Sequence, residues 1–136
     1  MDEYILVERS ATLEEYLRLR EAVGWICQDI KATEIGLTNS LFSVCMIYKD
    51  EVIAYGRVVG DGGIYFYIQD VIVLPKFQGK GIGKQIMNAI MNYLEKNAHP
   101  NAFIGLMAAK GEMGFYEKFD FKKRPNDSPG MLKIWE

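Results

Sequence analysis

Glycines fall at every second position in FQGKGIGKQ, residues 77–85, with Lys80 and Lys84 set among them. Glycine lets a backbone approach a ligand closely and adopt positive φ, and a helix start offers unpaired N–H groups with partial positive charge. A diphosphate suits that combination. Lys80 or Lys84 could add a charge contact, or could be ordinary exposed lysines at a helix start. The competing structural explanation is that Gly79, Gly81 and Gly83 make a tight turn and let the helix pack closely on a strand. GKGIGK is not the dinucleotide pattern GxGxxG, because its third glycine comes one position too early. Nor is it GxxxxGK[ST], since Gln85 stands where a magnesium-binding hydroxyl would be needed.

The loop needs a strand before it and a helix after it, and the flanking sequence supplies both. IYFYIQDVIVLP, residues 64–75, is rich in β-branched and aromatic residues and ends at Pro75, which cannot continue a ladder. From Ile82, the positions Ile86, Ala89, Ile90, Tyr93 and Leu94 share one helical face, predicting a helix to about Asn97. Upstream, YILVE reads as a first strand, and Thr12 with Glu15 three residues on forms a capping box that starts a helix over 13–23. The segment 24–40 has helical character around 33–40 and irregular structure before it. LFSVCMIY, VIAYGRVVG and the run to Pro75 form three strands, with turn chemistry at 49–51 and 61–63. AFIGLMAA, residues 102–109, reads as a buried strand and EMGFYEKF, 112–119, as a helix. FDFKKR and MLKIWE read as a closing pair of strands around NDSPG. A strand–helix–strand crossover requires parallel flanking strands, whereas the hairpins are antiparallel. The expectation is a mixed α+β fold: one domain over 1–136, with a mostly antiparallel sheet and helices on both faces.

The 136 residues can close one hydrophobic core, and 49% apolar with 25% charged residues is the composition of a globular domain. A net charge of -2 argues against non-specific nucleic-acid binding. No cationic, apolar leader opens the chain and no apolar run reaches the ~20 residues of a membrane span, so a cytoplasmic location and no membrane partner are expected. Cys27 and Cys45 lack CxxC spacing and His99 is the single histidine, which removes the usual zinc sets and argues against a structural disulfide. No metal is expected.

VIVLPKFQGKGIGKQIM resembles the acetyl-CoA signature Q/R-x-x-G-x-G/A of the GNAT N-acetyltransferases, with Gln78, Gly81 and Gly83 in its fixed places. GFYEKFDF, residues 114–121, resembles the family's F-Y-x-x-x-G-F box, and the element order is similar along essentially the whole chain. The resemblance implies an acetyl-CoA-dependent N-acetyltransferase of GNAT fold that moves an acetyl group to a primary amine of a small molecule by direct attack. Acetyl-CoA would be the cosubstrate. Amides of Gly79, Gly81, Gly83 and Lys84 would cradle its pyrophosphate, with Lys80 a further charge contact, and the backbone of Val71, Ile72 and Val73 would pair with its pantetheine arm. A peptide N-acetyltransferase and a non-catalytic acyl-CoA-binding or sensing module are the alternatives. Homodimers are frequent in the family, though no residue here specifies one.

For the chemistry, the resemblance implies carbonyl polarisation by the N–H of Val71 or Ile72 and a general acid at Tyr116, which could otherwise simply pack beside Phe115 and Phe119. Regular alternation places Tyr67, Gln69 and Val71 on one face and Ile68, Asp70 and Ile72 on the other. Tyr67 and Gln69 match the positions where family members carry a base. Neither is a carboxylate or histidine, so a water held by Gln69 or Tyr67 is expected to relay the proton, or the amine arrives already neutral. Asp70, of the wrong parity, is expected to make a structural hydrogen bond. Two departures from the family pattern stand out: Ala109 replaces an asparagine that orders the pantetheine, and Asp120 replaces a glycine. An acyl-enzyme on Cys27 or Cys45 is disfavoured without a histidine partner. For the acceptor, Trp25, Asp29 and Glu34 would suit a small cationic amine, or are respectively core and solvated face.

Overall fold

The structure is a computed structural model and describes residues 3–136. The chain divides into two compact units, Met1–Leu106 and Met107–Glu136.

The first unit carries five strands in sequential order: β1 (Tyr4–Val7), β2 (Phe42–Tyr48), β3 (Glu51–Gly60), β4 (Tyr65–Val73) and β5 (Phe103–Leu106). The first four pair antiparallel and β5 runs parallel to β4, as the crossover through α3 (Ile82–Asn97) demands. Two further helices, α1 (Leu13–Ala22) and α2 (Ile30–Thr38), precede β2. The capping box of α1 forms as the sequence predicts: Glu15 N–H donates to Thr12 Oγ1 at 3.2 Å, and Thr12 N–H to Glu15 Oε1 at 2.9 Å. Helix α2 starts three residues earlier than expected, because the Asp29 carboxylate accepts from Ala32 N–H at 2.9 Å.

One sheet face packs on α1 and α2, where Tyr16, Leu19, Leu37, Cys45, Tyr55 and Ile72 form a core. The other face packs on α3 through a point of close approach: a Cβ at Gly56 would lie 2.7 Å from Ile86 Cγ2 and 3.0 Å from Ile90 Cδ1. Asp61 Oδ1 fixes the turn before β4 by accepting from the N–H groups of Gly63, Ile64 and Tyr65. Among the described residues no helix is long and apolar enough to cross a membrane.

The second unit holds α4 (Met113–Glu117) and an aromatic group in which Phe115 meets Tyr116 and Phe119 edge-on, and Tyr116 meets Phe121. The expected closing strands over FDFKKR and MLKIWE do not form; that stretch is irregular, with a turn closed by Ser128 N–H on the Pro125 carbonyl and by Arg124 Nε on the Ser128 carbonyl. Pro125 and Pro129 fall in the connection and remove no ladder donor from either run, but a lone two-stranded hairpin is marginal in water.

Candidate active site

Regular alternation fails within β4. Phe66 packs edge-on against Tyr93 of α3, yet Asp70 and Ile72, also even-numbered, face α1. The cause is a bulge. Tyr55 pairs with Ile72 and Arg57 with Gln69, so Asp70 and Val71 together oppose the single residue Gly56. Asp70 adopts φ +59, a left-handed conformation that aspartate tolerates better than most residues. The expected grouping of Asp70 with Ile68, and of Val71 with Tyr67 and Gln69, is therefore corrected: beyond the bulge the faces exchange. Val71 lies on the α3 side, where its Cγ2 would be 3.7 Å from a Cβ at Gly56.

The bulge sits where β4 loses its second neighbour. The β4–β5 ladder ends at Ile68 and Leu106, and among the described residues no strand pairs with β4 on that side from Gln69 to Val73. Val71, Ile72 and Val73 thus lie on a strand edge that no described strand pairs. Gln78 reaches back to this edge and donates its Nε2 to the Val73 carbonyl at 2.9 Å, tying the glycine loop to the strand's end.

In the loop, Gly79 and Gly81 have φ of +78 and +80, and a Cβ on either would meet nothing within 4 Å. Conformation, not crowding, therefore requires glycine there. Neither Gly79 nor Gly81 makes the close helix-to-sheet contact that could have explained a glycine there, whereas Gly56 of β3 does. Gly81 caps α3 without a side-chain acceptor, and the N–H groups of Gly79, Lys80, Gly81, Ile82, Gly83 and Lys84 donate to no described oxygen. Lys80 and Lys84 are exposed and form no ion pair among the described residues. Acetyl-CoA fits what is present: a row of free donors at a helix start for its diphosphate, and an unpaired strand edge for the amides of its arm.

Asp70, buried to 2% exposure, is the electrostatic centre of the α1 face. Its Oδ2 accepts from Tyr16 Oη at 2.7 Å and Arg57 Nε at 2.8 Å; its Oδ1 accepts from Arg20 Nη1 at 2.9 Å and Gln69 Nε2 at 3.1 Å. Burial, followed by the negative charge and hydrogen bond of Asp70, raises the Tyr16 phenol to about 12. Arg20 lies in α1 and Arg57 in β3, and no spacing in the sequence links either to Asp70. Gln69 donates its amide to Asp70, and its carbonyl oxygen accepts from no described donor. Tyr67 is partly buried, paired with Gly105 of β5.

In the second unit, burial raises the Tyr116 phenol to about 12, the Glu112 carboxylate adding to the effect, so it holds its proton throughout the neutral range. Asp120 has φ +68, the left-handed turn that the family's glycine would provide. Ala109 lies in the exposed turn before α4, its carbonyl accepting from Glu112 N–H. Burial raises the Cys45 thiol to about 11, the wrong direction for a nucleophile. The residues expected to greet a cationic acceptor do not assemble. Asp29 caps α2, Trp25 stacks 5.4 Å from the Arg20 guanidinium, and Glu34 is exposed. Among the described residues no cluster of His, Cys, Asp and Glu could hold a metal ion.

A mixed sheet with a bulged, one-sided β4 leading into a glycine loop and helix is the framework of an acyl-CoA-dependent acyltransferase. The chain belongs to the GNAT acetyltransferase family: residues 40–123 match the acetyltransferase (GNAT) domain. It is similar to a solved structure from meticillin-resistant Staphylococcus aureus described as a probable acetyltransferase, with 35% identity and a TM-score of 0.92 over 98% of this chain and 100% of that one. A GNAT family protein from Streptococcus pneumoniae matches at 29% identity and a TM-score of 0.82, over 97% and 98% of the two chains. The uncharacterized N-acetyltransferase ycf52 of Pyropia yezoensis is 30% identical over 135 residues, 96% of this chain and 76% of its own length.

Proposed function

We propose that the protein transfers an acetyl group from acetyl-CoA to the primary amine of a small molecule, by direct attack. The observation that carries this reading is the run of undonated N–H groups from Gly79 to Lys84 beside the unpaired edge of β4. Acetyl-CoA supplies the activated acetyl group. Gly79, Gly81, Gly83 and Lys84 bind its diphosphate through backbone N–H groups, with Lys80 adding charge. Val71 to Val73 orient its arm through main-chain hydrogen bonds, and the N–H of Val71 or Ile72 polarises the acetyl carbonyl, where negative charge grows. Tyr116 holds a proton for the departing sulfur. Gln69, its amide anchored on Asp70, presents its carbonyl to a water that accepts the amine proton. A cavity of about 160 Å³ between α1, α2 and β3 favours a small acceptor over a peptide.

Calorimetric titration with acetyl-CoA, beside a thiol-release assay over a panel of amines, tests the reading. Binding with turnover is expected, and Gly81→Val, which forces a β-branched residue into a left-handed conformation, should abolish binding while leaving the fold intact. Binding without turnover on any amine or peptide would transfer the argument to a sensing module. An unaffected Gly81→Val would sink the role of the loop.

A further inference from the structure

The buried cluster around Asp70 is unbalanced. Two guanidiniums, on Arg20 and Arg57, converge on one carboxylate, and no other described acid forms an ion pair with either. Tyr16 stays neutral. The cluster therefore holds one surplus positive charge in a setting where unpaired charge is costly.

The nitrogen left without a partner belongs to Arg57. In Arg20 every guanidinium nitrogen is engaged: Nη1 serves Asp70 and Tyr16, while Nε and Nη2 both donate to the Ile26 carbonyl. Arg57 gives Nε to Asp70 and Nη1 to both the Gly36 carbonyl and Ser40 Oγ, at 3.3 and 3.1 Å. Its Nη2 donates to nothing described, and it is not among atoms sealed from solvent, since no buried side-chain nitrogen or oxygen lacks a partner. Arg57 lines the 160 Å³ cavity together with Tyr16, Gln28, Ala32, Thr33, Gly36 and Leu37. No carboxylate lines it. At its rim the exposed Gln28 side chain has no described hydrogen bond and offers a second donor.

We propose that this cavity seats a carboxylate of the acceptor against Arg57 Nη2, so that the preferred substrates are small amines bearing an acid, of amino-acid class. The inference rests on the transferase reading above and names its substrate class. Charge favours carboxylate over phosphate. One surplus positive charge matches the single negative charge of a carboxylate, whereas a phosphate monoester carries close to two. The position also suits the chemistry. Arg57 hydrogen-bonds Asp70, the residue immediately before Val71 at the bulge, so one side chain ties the proposed anchor to the strand segment proposed to present the carbonyl-polarising N–H.

The test uses pairs of amines that differ only in the acid: alanine with ethylamine, leucine with 3-methylbutylamine, and 2-aminoethyl phosphate with ethanolamine. Each is titrated calorimetrically into the protein with coenzyme A present, and each is assayed for acetylation. The carboxylated member should bind roughly tenfold to a hundredfold more tightly, the range of a charge-assisted hydrogen bond. Arg57→Gln should erase that preference and Arg57→Lys restore part of it, both retaining coenzyme A binding. Should Arg57→Gln fail to fold, Gln28→Glu is the second probe: it alters an exposed residue and should weaken carboxylate binding through repulsion at the rim. Equal binding within the pairs, a preference for the phosphate, or no binding of any amine overturns the proposal. Carboxylate-dependent binding without acetylation of any amine would leave the proposed site standing and overturn the transferase reading instead.

Discussion

Asp70 accepts from Tyr16, Arg20, Arg57 and Gln69 while holding a left-handed backbone, so a single side chain joins the bulge to the α1 face. Replacing it with asparagine keeps a residue that tolerates φ near +60° but removes the charge that both arginines face. Removal of one partner from a buried ion pair costs about 3 kcal/mol or more, and Asp70→Asn should lower the denaturation midpoint accordingly. An unchanged midpoint in urea would mean that the cluster does not stabilise the fold. Asp70 also marks where the sequence stopped being legible. Its structural hydrogen bonding was expected from strand parity, but the parity argument itself fails, because the bulge reverses the faces just before it. Arg20 and Arg57 are separated by a helix, two loops and a strand, and no local pattern announces that they share one carboxylate. By contrast, the turn conformation of Gly79 and Gly81 was readable directly, since glycine spacing reports backbone demands that are local.

At the scale of elements, legibility follows how local the determining interactions are. The start of α1 was fixed by Thr12 and Glu15 within one turn, whereas Asp29 capping α2 lacked the Glu or Gln partner that completes a capping box, with Ala32 at that place instead. FDFKKR and MLKIWE have strand-like composition, but strand formation needs a pairing partner that composition cannot provide. Gly56 illustrates the same limit from within a strand. Its lack of a side chain lets Ile86 and Ile90 of α3 approach β3 directly opposite the bulge. Gly56→Val would drive a branched side chain into Ile86 Cγ2, a methyl held close to its own backbone, and should cost about 1–3 kcal/mol through overpacking. Because α3 carries the N–H groups of the loop at its start, the variant should also weaken acetyl-CoA binding at temperatures where it remains folded. A thermal melt followed by titration separates the two effects, and wild-type behaviour in both would show that the helix can shift without consequence.

For the whole molecule, a pH dependence of stability is expected on the alkaline side. Cys45 and Tyr16 lie in the same core, and burial is the leading cause that raises the thiol from 9 to about 11 and the phenol from 10 to about 12. Both groups are neutral when protonated, so a raised value means that the folded state holds a proton that the unfolded chain releases more readily. Below pH 9 neither state ionises and the contribution is fully present. As pH rises from 9 toward 12, the unfolded chain gains by ionising first and stability falls. Each two-unit shift corresponds to a loss of up to about 3 kcal/mol when complete. Urea midpoints measured from pH 7 to 11 should therefore be level to about pH 9 and decline beyond it. Cys45→Ala, whatever its effect at neutral pH, should delay the onset to about pH 10, leaving the phenols of Tyr16 and Tyr116 to carry the decline. A profile level to pH 11, or an onset that ignores Cys45→Ala, would mean that these two groups are not held neutral by the core. The proposed site adds a second expectation to the same profile: a bound amino acid should stabilise only while Arg57 remains cationic, which it does throughout this range. The part of its increment that depends on the carboxylate, read as the difference from the matching amine without the acid, should thus persist as the core loses stability around it.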